Sequence, residues 1–268
     1  MAITALHAAS SGMKALDEKL NVVANNLANI NTHGFKRSRV NFEDLLYQVR
    51  REPGVLNAQD EPVPHGIMVG TGVKVSGTQL NFASGAVDQT FKPLDLQIDG
   101  KGFFQVRTVQ DGADVIAYTR AGNFARNSEG NMVLGNSSGS ILEPPINLPD
   151  GYVEVVIGRN GEVRVREQGS PALSTVGQIE LARFINPEGL KQVGLNLYTE
   201  TEASGAPQTG TPQSDGLGAI NQGNLETSNV DPVRELIDLI TTQRAFELNS
   251  QSIKSADETL QIVSNLRR

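Results

Sequence analysis

The feature that most constrains this chain is a seven-residue apolar repeat that stands at both of its ends, with sequence of a different period between them. Near the start, Leu6, Ala9, Met13, Leu16, Leu20, Val23, Leu27 and Ile30 alternate spacings of three and four, the a/d seam of helices that pair along their length. A helix over residues 3–30 would be roughly 42 Å long at about 1.5 Å per residue. At the other end, Asp231-Pro232 reads as a helix start, a carboxylate N-cap followed by Pro at the first helical position. No Gly or Pro follows. Leu239, Phe246, Ile253 and Leu260 recur every seven residues, Ala256 and Val263 fill the later d positions, and polar Thr242 and Asn249 fill the earlier ones. Lys254 and Arg267-Arg268 bring positive charge toward the C-terminal end, where the helix dipole favours it. A single amphipathic helix is ordinarily a core helix docked on a sheet. Two helices, both longer than the ~10–14 residues usual in globular proteins and set at opposite ends, are more economically explained by an antiparallel intramolecular pair or a seam used between molecules.

Between the ends the period becomes two. Leu94, Leu96 and Ile98 alternate into Asp99-Gly100, and KGFFQV follows, which predicts a hairpin. NFARNSEGNMVLG and VEVVIGRNGEVRVRE each set a Gly-containing turn between apolar runs, and Asn160-Gly161 is the strongest hairpin signal of all. GQIELARFINPEGL adds a strand and a turn. Residues 48–66 read as an extended or irregular connector, and residues 203–223 as loop or linker. The expected fold class is α+β: long N- and C-terminal helices pairing as a coiled coil, with a central, mainly antiparallel β domain. The expected divisions are 1–34 for the first helix, 35–75 for the connector, 76–224 for the β-rich outer domain and 225–268 for the second helix.

Composition narrows the function. The chain has 268 residues, 38% hydrophobic and 20% charged, with no Trp and only 5% aromatics, which suits a multi-lobed, aliphatic architecture. It has no Cys, so disulfides, thiolate metal sites and cysteine nucleophiles are ruled out. A net charge of −7 without a basic stripe argues against nucleic acid. The first residues lack a basic segment followed by an apolar run, so no cleaved secretory signal is expected. No stretch approaches the ~18 apolar residues of a membrane-spanning helix, and no membrane insertion is expected.

Catalytic motifs fail on context. Gly135–Gly139 spells G-x-S-x-G, but Ile141-Leu142-Glu143-Pro144-Pro145 follows closely, and the three histidines, His7, His33 and His65, all lie upstream. Gly100-Lys101 resembles the end of a phosphate loop, yet Asp95 replaces its first Gly and Gly102 its Ser or Thr. The histidines lack metal-ligand spacing, and His33 reads as a helper in capping the first helix. No catalytic residue, cofactor or metal is assigned, and the chain is not expected to be an enzyme. A secreted wall-acting hydrolase, or a carbohydrate-binding β module with coiled-coil ends, would be the alternatives from other classes.

One stretch looks wrong for a helix. ANNLANINTHGFK places Asn25, Asn26, Asn29 and Asn31 within seven positions, although Asn favours caps and turns. Residues 20–34 carry no Asp, Glu, Lys or Arg, odd for a solvated helix and reasonable for one enclosed by others. Asn21, Asn25, Asn26, Asn29 and Asn31 all fall off the seam, so they are expected to face partners, where an amide can be satisfied without the desolvation cost of an ion. Gly34 is expected to end the helix in a left-handed conformation.

ANNLANINTHGFKRSRVNFEDLLYQ resembles the amino-terminal signature of the bacterial flagellar axial (rod and hook) family, and QGNLETSNVDPVRELIDLITTQRAFELNSQSIKSADETLQIVSNL its carboxy-terminal signature. DLQIDGKGFFQV and YTRAGNF resemble its central β domain. Within the family, the length, FEDLLYQ and the connector point to the distal-rod branch, with the proximal-rod and hook branches as nearest alternatives. Pro232 departs from the residue with a free N–H that relatives carry, harmlessly at a first helical turn. The resemblance implies a structural subunit that leaves the cell through the flagellum's own export channel. It then polymerises helically into a rigid periplasmic shaft, transmits torque and encloses that channel. Its partners would be further copies of itself, other rod proteins, the hook protein and the periplasmic and outer-membrane rings. The connector, here about residues 43–75, would lock neighbouring subunits. The expected assembly surface comprises Leu6, Met13, Leu16, Leu20, Val23, Asn25, Asn26, Leu27, Asn29, Ile30, Leu239, Phe246, Ile253, Leu260 and Val263. Poor intrinsic helix propensity is expected to keep the ends disordered in the free subunit.

Overall fold

The computed structural model describes residues 2–55, 64–110, 112–169 and 172–266. It divides into two compact units. The first comprises Met1–Ala28, Ser38–Gln79 and Asp231–Arg268, and the second Asn29–Arg37 and Leu80–Val230.

The first unit is built on two helices, α1 (Ala2–Ala28) and α2 (Pro232–Leu266). The start of α2 follows its sequence signals. Asp231 Oδ1 accepts the backbone N–H groups of Val233 at 3.0 Å and Arg234 at 3.3 Å, and Pro232 takes the first helical position. The helices lie side by side and antiparallel. Asn26 meets Glu235 while Gly12 meets Asn249, an equal step along each helix in opposite chain directions. Two short antiparallel ribbons complete the unit: Ser38–Asp44 with Val73–Leu80, and Tyr47–Arg51 with Ile67–Gly70. The stretch read as connector thus forms strands in its described part.

The second unit is antiparallel β structure. Its largest sheet runs Lys191–Gly194, Leu197–Thr199, Ala113–Thr119, Phe103–Gln110, Ile141–Glu143, Met132–Leu134, Phe124–Arg126, with Leu181–Arg183 also on Phe103–Gln110 and Gln208–Gly210 on Leu181–Arg183. Leu96, Phe104, Met132, Leu142, Ile179, Leu181 and Ile220 form its apolar centre. The turns at Asn160-Gly161 and in NSEG join strands that pair, Tyr152–Ile157 with Glu162–Glu167 and Phe124–Arg126 with Met132–Leu134. The hairpin expected at Asp99-Gly100 does not form. Leu96–Asp99 pairs instead with Ala219–Gln222, from the stretch read as linker, and Phe103–Gln110 joins the large sheet. Gly100 and Gly102, both at positive φ, turn the chain between two sheets rather than back on itself.

Helix α1 also stops earlier than residue 30, at Ala28. Gly34 lies beyond it in a separate turn and is no helix stop. Its φ is 72°, and a Cβ there would stand 2.5 Å from the backbone nitrogen of Ala121, so it is glycine because another backbone passes against it. His33 caps nothing: its carbonyl accepts from Asn196 Nδ2 at 3.2 Å, and its Nδ1 is buried with no hydrogen bond.

Candidate assembly surface

On α2 one line faces α1. Glu235, Leu239, Thr242, Phe246, Asn249, Ile253, Ala256 and Leu260 are buried or half-buried at alternating steps of four and three. Thr242 fits this line because its hydroxyl donates to the carbonyl of Asp238 at 2.5 Å, inside its own helix. The side chain of Val263 and residues Arg267-Arg268 lie outside the described residues.

The matching line on α1 is displaced from the expected seam. Its buried residues are Ala15, Val23 and Asn26, while Leu6, Met13, Leu16, Leu20 and Leu27 are half-buried. Small residues cause the displacement. Gly12 approaches Asn249 so closely that a Cβ would lie 3.2 Å from its Nδ2. The helices therefore meet along Gly12 and Ala15, and the leucines flank that contact.

Asn26 reverses an expectation. It is 1% exposed, not turned outward. Its Nδ2 donates to the Ser38 carbonyl at 2.8 Å and to Glu235 Oε2 at 3.1 Å, and its Oδ1 accepts the Ser38 N–H at 3.0 Å. One amide thus closes α1 onto α2 and onto the following strand. Asn25 is exposed, as are Asn21 and Asn31. Asn29 and Ile30, half-buried, fall beyond the helix and within the second unit.

A second stripe on α2 stays uncovered. Val233, Leu236, Ile237, Ile240 and Leu248 are between 41% and 65% exposed. Their spacing of three, four and eight puts them along one side of the helix, an apolar face of the kind that marks an interaction surface. The signal was present in the sequence, but the more regular heptad seam hid it.

The second unit contains a buried ionic cluster that the sequence did not announce. Lys36 and Glu226 are 0% and 1% exposed, with Lys36 Nζ 2.6 Å from Glu226 Oε1. Lys36 also donates to the Ala83 carbonyl at 2.7 Å, and Glu226 Oε1 accepts the Gly85 N–H at 2.9 Å. Arg120 reaches Glu226 Oε2 at 3.4 Å and the Gly100 carbonyl at 2.7 Å, and lies over the Phe103 ring at 5.5 Å. Burial pushes the Lys36 ammonium below the usual lysine range. Glu226 opposes that shift and Arg120 adds to it. Such a cluster persists because each charge has its partners. Lys36 comes from GFK and Glu226 from NLETSN, so two stretches from opposite ends of the sequence meet in it. Among the described residues no helix is long and apolar enough to cross a membrane, and none form a group of three metal-ligating side chains.

Three protein-family models match the chain: "Flagella basal body rod protein" over residues 6–36, "Flagellar hook protein FlgE/F/G D1 domain" over 97–165, and "Flagellar basal body rod FlgEFG protein C-terminal" over 221–266. Among curated proteins the chain is similar to flagellar basal-body rod protein FlgG of Buchnera aphidicola subsp. Schizaphis graminum, 43% identical over 98% of this chain and all of that protein. It is 44% identical to FlgG of Caulobacter vibrioides over 98% of this chain and 99% of that one. It is 36% identical to FlgG of Bacillus subtilis over 99% of this chain and the whole of its relative.

Proposed function

The chain belongs to the flagellar basal-body rod protein family, and from that premise we propose that it builds the distal rod by helical polymerisation of identical copies. In this reading the two helices wind as a coiled coil, and the coils of successive subunits enclose the export channel. The expected assembly residues act in two ways. Val23, Leu239, Phe246, Ile253 and Leu260 hold the pair together. Leu6, Met13, Leu16, Leu20, Asn25 and Leu27 meet neighbouring pairs, with Val263, Asn29 and Ile30 extending those contacts. Rod, hook and ring proteins are the further partners, and the flagellum's own export channel the route outward.

The observation that carries this reading is the two-sided α2. One side is covered by α1, while the other exposes Val233, Leu236, Ile237, Ile240 and Leu248. Helices stacked in a tube bury both sides, and an isolated subunit buries one. Deletion of the gene in a motile bacterium tests it. Basal bodies with a truncated rod and no hook are expected. A complete rod lacking only the hook would assign the chain to the hook branch, and normal motility would remove the rod role.

A further inference from the structure

Phe91 stands at φ 58° and is 85% exposed. A bulky side chain in the left-handed region is a genuine outlier, and an aromatic ring in water gains nothing from burial. The conformation is pinned, since the N–H groups of Thr90 and Phe91 both donate to the Gly223 carbonyl at 3.0 Å. Among the described residues none covers the ring, although the backbone beneath it is fixed, and strain of this kind concentrates where a function needs it.

The same unit offers a cavity of about 410 Å³ walled by Phe82, Phe103, Phe184, Ile185 and Pro187, with Lys101 and Arg183 at its edge and no carboxylate in its lining. Phe82 and Phe103 already meet edge to face at 5.2 Å, and Phe103 and Phe184 at 5.9 Å. An entering ring would continue that packing. Its electron-rich face would also complement the cations.

Knob and cavity lie at opposite ends of one ribbon. Leu96 pairs with Gln222 at the end where Gly223 holds Phe91, and Asp99 pairs with Ala219 at the end where the Lys101 carbonyl accepts the Gly218 N–H at 2.7 Å. The knob therefore cannot fill its own cavity. Two different, complementary patches on one chain make a head-to-tail contact, which propagates into open helical assemblies. We propose that Phe91 of one copy inserts into this aromatic cavity of the next copy. The proposal rests on the polymer reading above. A single ring covers only about 150–250 Å², against ~1,200 Å² for a stable interface, so the contact sets register within a polymer held mainly by its helices.

Because the chain has no Cys, F91C combined with I185C gives a clean test, Ile185 standing 79% exposed at the cavity. A short thiol-to-thiol cross-linker applied to isolated rods is expected to give a ladder of covalent oligomers from the double variant, and no more than dimers from either single variant. Normal rods without a ladder, or a bond closed within one chain, would overturn the knob contact alone. Failure of the unaltered chain to form rods would overturn the polymer reading and this proposal together. F91N keeps a residue that tolerates the left-handed region. Its monomer should melt as the unaltered chain does, while the concentration needed for seeded polymerisation rises about tenfold. An unchanged concentration would also overturn the proposal.

Discussion

At Lys36, Glu226 and Arg120 two cations share one buried carboxylate, so the three positions are not equivalent. Replacing Glu226 by Gln leaves both cations without their counter-ion. Replacing Lys36 by Met leaves Glu226 with Arg120 and the Gly85 N–H. We therefore expect E226Q to cost about 3–5 kcal/mol of stability and K36M clearly less, read by urea unfolding followed through tyrosine fluorescence. Tyr118 and Tyr198 govern the alkaline side. Burial pushes each phenol up from 10.0 to about 12, helped at Tyr118 by the Glu200 carboxylate. Between those values the folded chain holds protons that the unfolded chain has lost, so stability falls as pH rises from about 10 to about 12. Tyrosinate absorbance should therefore lag in the native protein. In the Y118F/Y198F variant the lag should shrink and the stability profile flatten. None of these pairings is legible in the sequence, where Lys36 and Glu226 are 190 residues apart.

Among the elements, the two helices were the most legible. Periodicity located both, and Asp231-Pro232 located the start of α2. The contact line on α1 was not legible, because large apolar residues mark the face a helix would bury in general, not where a close neighbour will touch. The small residues Gly12 and Ala15 allow closer approach, and the line follows them. Asn26 belongs to that line through three hydrogen bonds. N26L should therefore destabilise the helix pair by about 1–3 kcal/mol, the usual cost of leaving buried polar partners unmet, in urea unfolding followed by far-ultraviolet circular dichroism. If Asn26 faced a neighbouring subunit instead, or if the ends stayed disordered in the free subunit as their helix propensity predicts, the same change would leave the monomer's unfolding unaltered and weaken only polymerisation.

For the whole molecule, the assembly role proposed for the exposed stripe on α2 can be tested apart from folding. Ile237 and Ile240 are 56% and 41% exposed, so I237E/I240E removes little that holds the monomer together. The expected outcome is an unchanged circular dichroism melt with loss of motility and truncated rods in electron micrographs of basal bodies. A melt lowered as far as that of N26L would instead assign the stripe to the subunit's own fold.

The sequence by itself determined the two long helices and turn-linked strands between them, because periodicity, caps and turn residues act over a few neighbouring positions, and it carried the family separately, through the resemblance of its two terminal motifs. Only the tertiary structure decided that Leu96–Asp99 pairs with Ala219–Gln222, that Asn26 turns inward onto Glu235 from 209 residues away, and that Gly34 is required by a passing backbone. Those outcomes depend on which distant surfaces approach most closely and which buried polar groups then find partners, and neither quantity has a local signature.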